Sequence, residues 1–347
     1  MSIYNAIKNA IDANGSLPQG FEIPQESTSP NELKFAVGAQ DGILVYHAPH
    51  TASNAMSKEI VECLKSGNTN KITEIVNEQK AISLIDSLMD TILENKNQID
   101  VSMLIGYAEA FAFESNNTEM VKLGIALLGM FDWSNSPEMQ EKLITLGMYE
   151  EFTLYVVVAV QTWNHGNEVI FRIAKEVHGW GKIHAVSRLQ PESSEIQDWI
   201  LRHGCKNWVL DVYLGLACAI SGNLIEALRQ DYLNAELYDG VCIIINALMD
   251  EAPLSGISAY EHAEEALLRF LKFSQQYAKT VLHLWYILNI ESDIQEKDLK
   301  NKDDLLKICA EIKNNPYWRD HINKVLTDPN SPDLYYAENI ATRMEIS

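Results

Sequence analysis

The densest group of chemically capable side chains in this sequence lies in segment 178–184, which reads HGWGKIH. Two imidazoles and an amine could perform acid–base chemistry, and glycines beside a lysine could contact a phosphate group. The spacing of a phosphate-binding loop is absent, because Glu176 stands where the first glycine of that motif belongs. A turn between helices, in which the glycines let two backbones approach, explains the segment better. A small-molecule enzyme with a groove near His178, Lys182 and His184 remains an alternative function.

A second pair of histidines, His47 and His50, suggests a metal site. Zinc needs three or four protein ligands, and no cysteine or further histidine lies nearby in the sequence. The five cysteines are scattered and show no Cys-x-x-Cys spacing, which is typical of buried, reduced thiols. We therefore predict no metal, no cofactor and no catalytic residue.

Five of the seven tryptophans fall between positions 133 and 208. Most of them should pack between helices, because a tryptophan ring fills a large interior volume. An exposed minority could anchor a protein partner, since tryptophan is enriched at the centres of binding interfaces. The residues that we predict could bind a partner are Trp163, His178, Trp180, Lys182, His184 and Trp208.

The charge of the chain narrows the classes of partner. Its 48 acidic and 27 basic residues give a formal net charge of −21. Proteins that bind nucleic acid gain affinity by neutralising phosphates, and anionic membranes likewise attract basic segments, so we expect neither partner. An excess of acidic residues commonly serves only to keep a protein in solution; the alternative is that it attracts a basic protein partner. The N-terminal ten residues lack the apolar core of a signal peptide, so we also expect a cytoplasmic protein.

The chain nearly repeats itself. Residues 136–148 (SPEMQEKLITLGM) and 193–205 (SSEIQDWILRHGC) share Ser, Glu, Gln and Gly at an offset of 57 residues. Self-similarity at a fixed offset is typical of proteins built from stacked helical units. Ser136 followed by Pro137 predicts the start of a helix. Gly147 and Gly204 are predicted to end their helices in the left-handed conformation.

The stretch from Glu119 to Met249 resembles the HEAT/armadillo-like α-solenoid superfamily. The likeness is clearest in segment 179–191 (GWGKIHAVSRLQP), which resembles a HEAT-type helix with a small residue in its middle and a proline at the turn. The resemblance implies an all-α fold, a right-handed α–α superhelix. We expect this α-solenoid over residues 51–347, with its clearest repeats at 119–249.

The first fifty residues differ from the rest of the chain. Short apolar runs at 33–37 and 43–47 flank an Asp-Gly pair, which predicts a β-hairpin. Residues 1–50 should therefore form a short mixed cap over the end of the helical stack.

The superfamily resemblance implies a binding role. We expect a non-catalytic scaffold or adaptor that binds a protein, and an inhibitor or immunity-type protein that neutralises a basic protein is the alternative within the same class. The sequence leaves the oligomeric state and the binding face open.

Overall fold

The computed structural model describes residues 1–13, 15–23, 35–48, 54–251 and 254–346. Within these ranges the chain forms twenty α-helices and no strand, which confirms the prediction of an all-α fold. The described helices are all too short or too polar to cross a lipid bilayer. The chain divides into two compact units, Met1–Leu189 and Gln190–Ser347.

The first unit contains eleven of these α-helices, and a π-helical segment, Ala110–Glu114, continues the sixth. The helices are α1 Ile3–Ala10, α2 Ala39–His47, α3 Asn54–Ser66, α4 Thr69–Gln79, α5 Ala81–Glu94, α6 Val101–Glu109, α7 Thr118–Leu128, α8 Pro137–Gly147, α9 Glu150–Val160, α10 Gly166–Glu176 and α11 Gly179–Val186.

Alternate helices of the first unit pack on one another. Helices α3, α5, α7, α9 and α11 follow in one row, and each packs against the next. Helix α4 packs on α3, α6 on α7, α8 on α9 and α10 on α11. Such pairing of consecutive helices is compatible with helical-repeat architecture.

The second unit contains the other nine α-helices, and a π-helical segment, Ile200–Gly204, continues the first of them. The helices are α12 Ser194–Trp199, α13 Val212–Ser221, α14 Leu224–Leu228, α15 Ala235–Met249, α16 Ala263–Tyr277, α17 Val281–Glu296, α18 Lys302–Lys313, α19 Tyr317–Leu326 and α20 Leu334–Arg343. Helix α15 packs against both α13 and α17, and α16 packs against both α14 and α18.

The predicted β-hairpin is wrong in its second strand, because residues 43–47 lie inside helix α2. Residues 33 and 34 of its first strand lie outside the described part of the chain. The Asp-Gly pair that suggested a turn is held in the helix by tertiary contacts. Asp41 pairs with the buried ammonium of Lys122, and Gly42 leaves room for the ring of Trp180.

The left-handed conformations predicted for Gly147 and Gly204 are also wrong, since neither residue has a positive φ angle. Each is the last residue of a helical segment, and Ser136 and Pro137 begin the first of these helices as predicted. The glycines allow close packing instead. A Cβ on Gly147 would lie 3.0 Å from side-chain atoms of α9 and α10, and one on Gly204 would lie 3.2 Å from the Cys218 sulfur.

Candidate functional site

Helix α11 and its N-cap residue, His178, provide four of the six residues predicted to bind a partner. Residues four apart share a helix face, so Trp180 and His184 lie on one face and His178 and Lys182 on another. His184 is 1% exposed and Lys182 is 8% exposed, while His178 is exposed. The structure therefore does not gather His178, Lys182 and His184 around one groove.

The imidazole of His184 lies in an aromatic environment. Its ring centroid is 6.0 Å from that of Tyr46 and 6.1 Å from that of Trp180, and both ring nitrogens are buried without a hydrogen-bond partner among the described residues. Burial, together with the positive charge of Arg188, lowers the pKa of His184 to about 3. The side chain is neutral at physiological pH and packs as part of the interior.

The half-buried carboxylate of Glu150 explains the glycines of segment 178–184. Gly179 has a φ of +53°, and a Cβ there would lie 2.1 Å from Glu150 Oε2. The carboxylate accepts a hydrogen bond from the Trp180 backbone N–H at the start of α11. Burial raises the pKa of Glu150 to about 7, against the effect of this hydrogen bond. The N-terminus of α11 is thus occupied by a side chain of the same chain.

A buried ion cluster lies beside these helices. Lys122, in the apolar helix α7, is 1% exposed. Its Nζ lies 2.7 Å from Asp41 Oδ2, 2.6 Å from Glu151 Oε1 and 3.1 Å from Glu119 Oε1. The three N–H donors of an ammonium group match these three acceptors. We call Lys122, Asp41, Glu119 and Glu151 the Lys122 cluster.

Other donors complete the hydrogen bonding of the three carboxylates. The Tyr155 hydroxyl donates to Asp41 at 2.7 Å, the Gly38 N–H donates to Glu151 at 2.7 Å, and the Ala81 N–H donates to Glu119 at 2.8 Å. Burial by itself disfavours the charged amine, but the three carboxylates outweigh burial and raise the pKa of Lys122. The cluster joins α2, α5, α7 and α9.

The Lys122 cluster is not among the sites predicted from the sequence, although one signal of it is present there. Lys122 is the only charged residue between Met120 and Leu128, so a lysine interrupts an otherwise apolar helix. A charge in such a position requires a buried partner. The spacing identifies Glu119 as one partner, but nothing local identifies Asp41 or Glu151.

Trp163 and Trp180 are buried, at 5% exposed each. Lys182 and His184 are buried too, so four of the six residues predicted to contact a partner lie in the interior. Trp163 lies in the turn after α9, and the ring of Trp180 packs against Gly42 of α2. In this conformation these four side chains pack the first unit and present no surface to a partner.

Trp208, in the second unit, lies on the surface, with 60% of its area exposed. Its φ angle is +72°, a backbone conformation that residues other than glycine rarely adopt. Leu210 beside it is 59% exposed. We call residues Cys205 to Asp211 the Trp208 loop.

Asn207 holds this loop in place, and it is 1% exposed. Its side-chain oxygen accepts the backbone N–H groups of Val209 at 2.9 Å and Leu210 at 3.0 Å. Its amide nitrogen donates to the carbonyls of Cys205 and Leu210, both at 3.0 Å. The Asn207 N–H donates to Asp211 Oδ1 at 3.2 Å. The backbone that carries Trp208 is therefore fixed by hydrogen bonds.

The Trp208 loop interrupts the correspondence between the two copies of the repeated segment. At the offset of 57 residues, Asn207 and Trp208 match Glu150 and Glu151, which begin helix α9. In the second copy the corresponding helix, α13, begins later, at Val212. A half-buried helix start in one copy is replaced by an exposed tryptophan in the other.

Acidic residues predominate in the second unit as a whole. The unit carries 25 acidic and 14 basic residues, a net charge of −11. Asp211 is the last residue of the loop. Burial raises the pKa of the Tyr286 phenol, and the negative charge of Asp211 raises it further. The second unit thus combines the exposed apolar side chains of this loop with a net negative charge.

Among the described residues, no three histidine, cysteine, aspartate or glutamate side chains are placed to hold a metal ion. His47 ends helix α2, and His50 lies outside the described residues. All five cysteines are buried, as predicted. Comparisons with protein-family models, with curated proteins and with solved structures find no match to this chain.

Proposed function

We propose that this protein is a non-catalytic scaffold or adaptor built on HEAT/armadillo-type helical repeats, and that it binds a basic protein through the Trp208 loop. The observation that carries the proposal is the exposed Trp208 side chain, which a buried asparagine holds on a strained backbone. Backbone strain persists where the surrounding structure enforces it, and such positions cluster at functional sites. Exposed apolar side chains in a fixed loop suit a binding anchor.

The charge of the second unit supports a basic partner. Its net charge of −11 attracts a positively charged surface, and a tryptophan face also binds the guanidinium and ammonium groups of such a surface. An inhibitor of a basic enzyme or toxin would use the same contacts. Loss of the partner's activity on binding distinguishes an inhibitor from a scaffold.

Affinity capture from the native host tests the proposal with three forms of the full chain: wild type, Trp208→Ala and Tyr335→Ala. Tyr335 is a matched control, because it is an aromatic residue of the same unit with 65% exposure. Each captured protein would then be purified and its affinity measured. We expect a basic partner whose affinity falls about 30-fold with Trp208→Ala, as for a binding hot spot, and little with Tyr335→Ala. Partners that bind equally well to the Trp208→Ala protein would contradict the proposal.

A further inference from the structure

The first unit contains a cavity of about 350 Å³ between helices α5, α7 and α9. Most of its lining residues are apolar, among them Val45, Ile85, Met89, Ala126, Leu154 and Val158. The cavity is open to solvent, and Val158 in its lining is 50% exposed. Its size and lining are those of small-molecule binding sites.

Three polar residues also line the cavity. Asp86 is exposed, so its charge is screened by water. Tyr155 donates its hydroxyl hydrogen to Asp41 in the Lys122 cluster, and this leaves its ring as cavity wall. Arg188 is partly buried and is the one cationic residue in the described lining.

Hydrogen bonds within its own unit hold the Arg188 guanidinium in position. It donates to the His184 carbonyl at 3.2 Å and to Ser187 Oγ at 3.3 Å, and it also bonds the Tyr46 hydroxyl. Burial lowers its pKa, while Tyr46 acts in the opposite direction. A guanidinium offers five N–H donors in a planar fork that matches a carboxylate.

We propose that this cavity binds a small apolar molecule that carries one carboxylate. The apolar body lies between α5, α7 and α9, and the carboxylate meets the Arg188 guanidinium. An anion at this position compensates a cation that has lost part of its hydration, whereas an ammonium group would be repelled. The apolar walls supply most of the binding free energy, and Arg188 supplies the selectivity for charge.

The cavity is connected to the Lys122 cluster through two elements. Val45 belongs to α2, which Asp41 ties to Lys122, and Tyr155 belongs to both the cavity wall and the cluster. A bound ligand should therefore stabilise the docking of α2. This raises the midpoint of thermal unfolding as ligand concentration rises.

Titration calorimetry on the full chain tests the proposal with three probes of matched chain length: octanoate, octanol and octylamine. We expect octanoate to bind at least tenfold more tightly than octylamine and more tightly than octanol. Failure of octanoate to bind, or equal binding of octanoate and octylamine, overturns the proposal. This comparison uses only the wild-type protein, so it does not depend on the folding of a variant.

Substitutions locate the site. Arg188→Gln should lower the affinity for octanoate at least tenfold and change the affinity for octanol by less than threefold. The control is Arg172→Gln, at an exposed arginine paired with Glu141, which should change neither affinity. Ala126→Trp should abolish the binding of octanoate and octanol by filling the cavity. Val158→Trp, at the exposed edge, provides a second filling variant. Full octanoate binding by a folded cavity-filled variant would place the ligand elsewhere and refute the proposal.

The proposal is independent of the Trp208 loop, which belongs to the second unit. Trp208→Ala should leave octanoate binding unchanged. Arg188→Gln should leave the binding of a protein partner unchanged. Each proposal can therefore fail without the other.

Discussion

At the scale of single residues, solvent exposure distinguishes two tryptophans that the sequence pattern alone does not distinguish. Trp180 and Trp208 both lie in the stretch that resembles a helical repeat. Trp180 is 5% exposed and packs against α2, while Trp208 is 60% exposed in a loop. Only the tertiary structure distinguishes the buried tryptophan from the exposed one.

This difference predicts opposite effects on stability. Trp208→Asn should leave the free energy of unfolding unchanged or raise it by up to about 1 kcal/mol, because asparagine tolerates a positive φ angle better than tryptophan does. Trp180→Ala should lower it by about 3–5 kcal/mol, through the cavity that it leaves. Urea unfolding of both variants measures the two changes. A large loss of stability in Trp208→Asn would show that the tryptophan serves folding instead of binding.

Glu150 predicts a dependence of stability on pH. Its pKa rises from an ordinary value of 4.5 to about 7 in the folded chain, mainly through burial. The folded state therefore binds the proton more tightly, and ionisation destabilises it as the pH rises from about 4.5 to 7. Glu150→Gln removes the ionisation and keeps an acceptor for the Trp180 N–H.

We expect Glu150→Gln to match wild type in stability at pH 4.5 and to exceed it by about 1–2 kcal/mol at pH 8, after allowance for solvent screening. Thermal melts of the two proteins across this range measure the difference. A difference that stays constant with pH would show that the Glu150 carboxylate titrates near its ordinary pKa.

At the scale of elements, helix α2 shows how long-range contacts override a local signal. The Asp-Gly pair at positions 41 and 42 favours a turn, yet Asp41 is 3% exposed inside a helix. The contact that stabilises this arrangement joins Asp41 to Lys122, far along the chain. Local patterns cannot specify such a pair.

Helices with strong periodicity were easier to predict. Pro137 and the apolar spacing after it identify α8, because both signals are local. The left-handed conformation predicted for Gly147 was wrong because the role of this glycine is not local. Its packing against α9 and α10 depends on the arrangement of three helices, which a single helix end does not reveal.

The Lys122 cluster should dominate the docking of α2. Lys122→Met leaves Asp41, Glu119 and Glu151 buried without their common cation, so we expect a loss of about 3–5 kcal/mol in the free energy of unfolding. Lys142→Met is the matched control, because Lys142 pairs with the exposed Glu138 and its loss should cost less than about 1 kcal/mol.

Hydrogen exchange locates the effect of Lys122→Met. The amides of α2 should exchange faster in this variant than in wild type or Lys142→Met, since α2 loses the ion pair of Asp41. Unchanged exchange in residues 39–47 would show that apolar contacts alone hold α2 in place.

At the scale of the whole molecule, the charge and composition of the chain already narrow the class of partner. Both units are acidic, with net charges of −10 and −11, so neither resembles a surface for nucleic acid. The all-α class also followed from the sequence, because helix starts and apolar spacing recur along the chain. The location of the candidate binding loop did not follow from the sequence. The exposure of Trp208 depends on the hydrogen bonds by which the Asn207 side chain fixes the loop backbone.

The net charge leads to a prediction about association kinetics. Attraction between the acidic chain and a basic partner accelerates their encounter, and salt screens this attraction beyond about 10 Å at 0.1 M ionic strength. We expect the association rate constant to fall about tenfold or more between 0.02 and 0.5 M salt, while the dissociation rate constant changes less. Surface plasmon resonance with the captured partner measures both constants. Duplex DNA serves as the control and should not bind at physiological salt, because the chain offers phosphates a net repulsion. A partner whose association is independent of salt, or tight and salt-sensitive binding of DNA, would show that the acidic surface has another role.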